Sequence, residues 1–422
     1  MSDTHPHDDA PRHLHRRAFL KGGAVSLLTL GFAGGGPLFL HRAAHGSTAR
    51  RKVLVTVFQR GAMDGLAAVP PIGDRHLAKL RPRLTLDATR SGSLLDLGNG
   101  FGLHPAFQPL ASHFSSGDLA IVHGVGSPDP TRSHFDAQDF MESGTPGDKG
   151  TPSGWLNRVV GELGHEAKAR TPFQAVAMTS TLPKSLYGDA SALAVERLED
   201  FRLSRSEGKG FESLYREAAQ RELRATGSET FAAESELRQL SVENYRPANG
   251  AVYPRSPLGR SLQQVAMLIK EGVGLEVAFT ESGGWDTHVR QGAAAGPFAQ
   301  RATDLARSID AFWKDLGRRR DDVVLLTMTE FGRPVAENGS GGTDHGHGSC
   351  LFVLGSEVQG GQVHGSLPTL ARENLYEGRD LPVTTDFRSV FSSVAIDHLG
   401  VAHDATLFPG WKGSPLPLLR RG

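Results

Sequence analysis

The chain has 422 residues, with 46 Lys and Arg against 46 Asp and Glu, so its formal charge is zero. That length suits two or three average domains or one large α/β domain with insertions, and 38% hydrophobic residues exclude wholesale disorder. A single cysteine, Cys350, excludes an intramolecular disulfide, a cysteine-built zinc site and an iron–sulfur cluster, and neutrality gives no support to nucleic-acid binding.

Residues 1–50 read as an export signal. The string Arg16-Arg17-Ala18-Phe19-Leu20-Lys21 precedes an apolar, glycine-rich run from Gly22 to Leu40 and a small-residue flank around Ala43, Ala44 and Gly46. This is the pattern of a twin-arginine signal, an address read by the twin-arginine translocase. It predicts a periplasmic or secreted protein. The run is nearly long enough to span a bilayer, which takes ~20 residues. Gly34, Gly35, Gly36 and Pro37 disfavour helix within it, and the flank favours cleavage, so stable membrane anchoring is not expected. Residues 51–422 carry 40 basic and 43 acidic residues, close to neutral. That route carries folded proteins, which suits one that acquires a metal before export.

The β-branched run Lys52–Phe58 predicts a buried first strand, ending at Gln59-Arg60-Gly61-Ala62-Met63-Asp64-Gly65. Leu119–Val125 predicts a second strand, followed by a turn and a helix start at Ser133. Phe173–Met178 is a third strand. Residues 193–250 are charge-rich with helical spacing and predict an inserted helical subdomain, closed by Pro254 and Pro257. A helix follows over 258–271. The strand Gly274–Thr280 ends at Gly283-Gly284-Trp285-Asp286-Thr287-His288. A helix over 297–316 leads to a strand Val323–Thr329, ending at Glu330-Phe331-Gly332-Arg333. Cys350–Leu354 is one more strand. The alternation predicts a single α/β domain over 51–422, with a doubly wound, largely parallel sheet flanked by helices.

Polar clusters follow these strands repeatedly, where open α/β sheets put their sites. They are Asp64; Ser133 and His134; Asp286 and His288; Glu330; Asp344, His345 and His347; and His364. Carboxylate oxygen and neutral imidazole nitrogen are the ligand set of zinc, manganese or iron. Each residue also has a structural alternative. Asp64 and Asp286 suit turns, Ser133 suits a helix cap, and His134 suits packing. His347 suits pocket lining, Glu330 suits pairing with Arg333, and Cys350 suits a buried structural thiol. Gly342-Thr343-Asp344-His345-Gly346-His347-Gly348 is the most specific element, because a glycine-bracketed Asp-His pair is an unusual structural choice.

On these strings the sequence resembles the domain-of-unknown-function 1501 family, whose members are typically twin-arginine exported. The strings are Phe-Gln-Arg-Gly-Ala-Met-Asp-Gly at 58–65, Arg-Ser-His-Phe-Asp-Ala-Gln-Asp at 132–139, Gly-Gly-Trp-Asp-Thr-His at 283–288, Thr-Glu-Phe-Gly-Arg at 329–333 and Gly-Gly-Thr-Asp-His-Gly at 341–346. That family in turn resembles the alkaline phosphatase and sulfatase superfamily. The resemblance implies an alkaline phosphatase-like fold with a two-metal centre at the strand C-termini. It implies Asp64, Asp286, His288, Asp344, His345 and His364 as metal ligands, and Ser133, with Thr131 as the alternative, as the nucleophile. The spacing departs from the superfamily in two places. Asp286 and His288 stand two apart rather than four, and Asp344 comes fourteen residues after Glu330, which gives Glu330 a possible ligand role.

The expected activity is hydrolysis of a small anionic phosphate or sulfate ester. It would use one or two divalent ions (zinc, manganese, iron or calcium), Ser133 and His134 as catalytic residues, and Arg60, Arg132, Glu330, Arg333 and His347 around the substrate. The alternative is a non-catalytic periplasmic export or assembly factor on the same scaffold.

Overall fold

A computed structural model describes residues 51–86, 93–163, 171–200, 242–402 and 406–420. The signal expected over 1–50 and most of the insertion expected over 193–250 lie outside the described residues. At the insertion's near end, Leu193–Ala194 is a short strand rather than helix, because it pairs with Val176 and Ala177.

Eleven strands are described: β1 (Val53–Arg60), β2 (Leu95–Gly98), β3 (Phe101–Leu103), β4 (Leu119–Gly126), β5 (Ala175–Ala177), β6 (Leu193–Ala194), β7 (Val277–Gly283), β8 (Val323–Met328), β9 (Ser349–Gly355), β10 (Val363–His364) and β11 (Thr385–Asp386). All but β2 and β3 form one sheet in the order β10-β4-β9-β8-β1-β7-β5-β6, with β11 beside β4. Every pairing in it is parallel except those of β9, which runs antiparallel to both β4 and β8. The central strands are buried on both faces. β1 shows this as a near-continuous apolar run with only its last residue partly open.

Helices cover both faces, as a doubly wound sheet requires. Five are named here in chain order: α1 (Gln108–Ser115), α2 (His134–Ser143), α3 (Trp155–Glu162), α4 (Pro257–Glu271) and α5 (Pro297–Leu316). A sixth, α6 (Phe387–Ser393), lies near the C-terminus. Val55 and Val57 of β1 belong to one apolar layer with Leu262 of α4 and Leu305 and Ile309 of α5. Leu54 and Phe58 belong to the other, with Trp155 of α3 and Phe391 of α6. The long helices are punctuated as their sequences demand. In α4, Ser256 caps Gly259 N–H, Pro257 opens the first turn and left-handed Gly272 closes it. Cys350 is fully buried in β9, and burial pushes its thiol well up. No helix among the described residues is long and apolar enough to cross a membrane.

Candidate metal centre

Strands β4, β8, β1 and β7 point their C-terminal ends at one edge of the sheet. The antiparallel β9 brings its N-terminal end to the same edge. This is why Asp344 and His345, far beyond β8 in sequence, return beside Glu330. The loops that follow β4 and β7 supply His134, Asp286 and His288. Close approach of these loops depends on glycine. A Cβ on Gly61, whose φ is 112°, would meet Asp286 N at 2.6 Å, and one on Gly342 would meet Thr287 O at 2.3 Å.

His134 starts α2, with Ser133 as its N-cap. Its Nε2 lies 3.0 Å from His345 Nε2, and His288 Nε2 lies 2.9 Å from the same atom. Asp286 completes the group. Its Oδ1 is 3.0 Å from His288 Nε2 and 3.5 Å from His345 Nε2, and its Oδ2 is 3.6 Å from His134 Nε2. His134, Asp286 and His345 offer ligand atoms that all lie within 4.8 Å of one another.

The far side of each ring shows why those nitrogens are available. His345 Nδ1 donates to the Arg132 carbonyl at 2.8 Å, and His134 Nδ1 donates to Glu330 Oε1 at 2.8 Å. His288 Nδ1 faces Asp344 Oδ1 at 3.3 Å. With each Nδ1 carrying the proton, the Nε2 lone pairs of His134 and His288 each face that of His345 and repel it unless a cation or shared protons sit between them. Ligands around tetrahedral zinc stand about 3.3 Å apart, close to the separations seen. The donor set therefore fits a divalent transition-metal ion.

The surrounding charges are tuned to this arrangement. Glu330 is fully buried. Burial opposes its ionisation, but donors from His134, Gln138 and Gly61 N–H hold its carboxyl below the ordinary range. The bond to Glu330 raises the His134 pKa, while burial lowers that of His345. Burial also opposes ionisation of Asp286, yet Arg333 keeps it below the usual carboxylate range. Asn338 and then His288 do the same for exposed Asp344.

Arg333 is buried and ties three loops together. It donates to Ala62 O at 2.7 Å, Thr343 O at 2.9 Å and Asp286 Oδ1 at 2.7 Å, and also to Gly61 O. The other arginines expected around a substrate are also paired. Arg132 holds Asp380 and Glu377. Arg60 holds Glu142 and Glu281 and donates to Gln138 at 2.9 Å. A cavity of about 480 Å³ opens there, lined by Arg60, Gln138, Glu142, Lys184, Arg260 and Glu281 among others.

Three expected residues sit apart from the imidazole cluster. Asp64 is buried against Arg81 at 2.7 Å and Gln291 at 2.8 Å, and caps Ala67 N–H. His347 bonds the Ser127 carbonyl and packs on Tyr376. His364, on β10, bonds the Gln359 carbonyl. Ser133 is exposed, and its hydroxyl accepts from Asp136 N–H at 3.5 Å. Supporting residues absent from the sequence reading are Gln138, Asn338, Gln291 and Arg81. Gln138 had a signal, because it stands four residues after His134 on the same helix face. Asn338 and Arg81 come from irregular loop or turn positions, and no spacing announces them.

Residues 110–407 match the model of DUF1501, described as a protein of unknown function. The chain belongs to that family. No curated relative matches it. Among solved structures it is similar to Ps i-CgsB in complex with k-i-k-neocarrahexaose, at 7% identity and TM-score 0.42, over 87% of this chain and 75% of that one. It is also similar to the PsFucS1 sulfatase from Pseudoalteromonas sp., at 13% identity and TM-score 0.36, over 88% of this chain and 74% of that one. BT1596, a 2-O GAG sulfatase, is similar at 9% identity and TM-score 0.37, over 87% and 76%. Likeness at these scores says nothing of this chain's activity.

Proposed function

We propose that the chain is an exported metal-dependent hydrolase of phosphate or sulfate esters, with one divalent ion held by His134, Asp286 and His345 and with His288 beside His345. The observation that carries this reading is that His134, Asp286 and His345 offer ligand atoms all within 4.8 Å of one another, while both imidazoles turn Nδ1 to an acceptor. The imidazole-rich set favours zinc, manganese or iron over calcium. Bound there, the ion would supply Lewis acidity and positive charge for a phosphoryl or sulfuryl oxygen, charge that Arg60, Arg132 and Arg333 already give to carboxylates.

The chain's own groups divide the remaining work. Glu330, the Arg132 carbonyl and Asp344 orient the three rings. Arg333 keeps Asp286 ionised. Ser133 is the nucleophile of this reading. It is exposed beside His134, and its long cap bond leaves the hydroxyl proton unspent. Export through the twin-arginine translocase, with the folded chain already holding its ion, rests on Arg16-Arg17-Ala18-Phe19-Leu20-Lys21.

The test is elemental analysis of the purified protein, followed by turnover of p-nitrophenyl phosphate and p-nitrophenyl sulfate before and after chelation. Bound transition metal, chelator-sensitive turnover and loss of turnover in Ser133→Ala are expected. Protein that stays metal-free after reconstitution sinks the reading. One observation favours a second reading, a non-catalytic assembly factor: every arginine expected to clamp an anion is already paired. Stoichiometric metal without turnover of any ester would support it.

A further inference from the structure

One buried side chain bridges the two loops whose ligands meet at the centre. Gln291 is fully buried in the loop after His288. Its Oε1 accepts from two hydroxyls, Thr287 Oγ1 at 2.8 Å and Thr343 Oγ1 at 2.8 Å. Thr287 stands between Asp286 and His288, and Thr343 immediately precedes Asp344 and His345. At the other end of the amide, Nε2 donates to Asp64 Oδ2 at 2.8 Å.

The direction of this amide is dictated by its neighbours. An ionised carboxylate only accepts, so Asp64 must face the NH2 end, which turns the oxygen to the threonines. Asp64 is itself fixed by Arg81 at 2.7 Å. Thr343 is fully buried and Thr287 nearly so. Burying a hydroxyl costs free energy unless it is bonded, and no buried polar side-chain atom of Asp64, Thr287, Gln291 or Thr343 lacks a partner. The loops also share a backbone bond, Thr343 N–H to Thr287 O at 3.1 Å. A single bond leaves a hinge, and two more to one buried oxygen leave little freedom to turn. The ligand atoms need that restraint. Across the loops, His288 Nε2 and Asp286 Oδ1 stand 2.9 and 3.5 Å from His345 Nε2. Such constellations work only when held to about 0.5 Å.

We propose that Gln291 is a positioning residue of the metal centre. By holding Thr287 and Thr343 on one oxygen, it sets the distance between the loop of Asp286 and His288 and the loop of Asp344 and His345. This rests on the metal-centre reading above. Gln291 acts through the two threonines and takes no part in bond making.

The experiment titrates cobalt(II) alone into the metal-free protein and follows its visible bands, which report coordination geometry. Wild type is expected to take up one equivalent. Gln291→Met keeps the length and removes both hydrogen-bonding ends; it should bind about tenfold more weakly, with altered bands. Thr287→Val and Thr343→Val should behave alike, and Thr287→Ser and Thr343→Ser should restore wild-type binding. Neither hydroxyl alone makes a bridge, so the double valine variant should lose less than the product of the two single losses. Tyr253→Phe, which removes a bond to Asp315 outside this network, is the stability control and should bind cobalt like wild type. Where Gln291→Met does not fold, the threonine variants decide. Wild-type affinity and bands in the folded variants overturn the clip and leave the metal centre standing. Losses that multiply in full overturn it too, as does a loss in Tyr253→Phe equal to that of the valine variants, because the threonines would then act through overall stability. Wild type that takes up no cobalt overturns the clip together with the metal-centre reading.

Discussion

Asp64 and Asp286 follow neighbouring parallel strands, each close after a glycine, yet they have opposite fates. Asp64 is buried, and Arg81, Gln291 and the Ala67 N–H take its lone pairs. Asp286 is 43% exposed, is held by Arg333 through one oxygen, and turns toward three imidazoles. A strand-end carboxylate is available to a ligand only where the fold has not already satisfied it. The buried pair contributes to holding the loops, while the open carboxylate faces imidazole nitrogens between which a cation or shared protons would sit.

The largest expected effect tests the open side. His345→Ala removes the Nε2 that both other histidines approach, so stoichiometric metal should be lost, as read by elemental analysis. Asp64→Asn should retain the metal. If Asp64→Asn loses it as completely as His345→Ala, the contrast between the two aspartates is wrong.

The buried side should fail differently. Arg81→Met leaves Asp64 buried without its cation, and breaking a buried pair in this way costs about 3–5 kcal/mol. Denaturant unfolding should show that loss, while metal per folded molecule stays unchanged. An unfolding midpoint equal to wild type would mean that Asp64 finds other compensation.

Much of this was legible in the sequence. The β1, β4, β7, β8 and β9 runs are apolar because they are covered on both faces; α4 shows its Ser256 cap in the sequence, and α5 is bracketed by Pro297 and Gly317. The strings around His134, Asp286 and Asp344 marked the loops that meet. What one sequence does not carry is the sense of each pairing. The antiparallel β9 brings His345 to the edge, and no periodicity distinguishes it from a parallel strand. Nor does a string show whether its charges are already paired. Arg60, Arg132 and Arg333 have the chemistry of anion clamps, but the carboxylates that neutralise them lie 47 to 248 residues away.

Buried polar groups remote from the centre sharpen the comparison through pH. His123 is fully buried in β4, donates from Nε2 to Val69 O at 2.9 Å and accepts Gly124 N–H on Nδ1. Burial, opposed by the Val69 bond, lowers its pKa from 6.5 to about 4. The unfolded chain therefore binds a proton between pH 6.5 and 4 that the folded chain refuses. The stability is fully present above 6.5 and falls as pH drops to 4, by roughly 3 kcal/mol at ~1.4 kcal/mol per unit. His123→Gln should flatten that part of the unfolding profile. An unchanged slope would assign the acid sensitivity to other groups.

Glu330 is the intermediate case, buried like Asp64 but serving the open site. Its Oε1 receives His134 Nδ1 at 2.8 Å, Gln138 Nε2 at 3.0 Å and Gly61 N at 2.8 Å. A carboxylate behind a ligating histidine fixes the ring and raises its basicity, and removing such a partner costs 10–100-fold in metal affinity. Glu330→Gln keeps the shape and loses the charge, so it should lie at the lower end of that range in a competition titration with a chelator. Glu330→Ala should lie at the upper end and also lose stability, because three donors are left facing a void. If both variants bind metal like wild type and only unfold more easily, Glu330 belongs with Asp64. His134 would then owe its orientation to the packing of Phe331 alone.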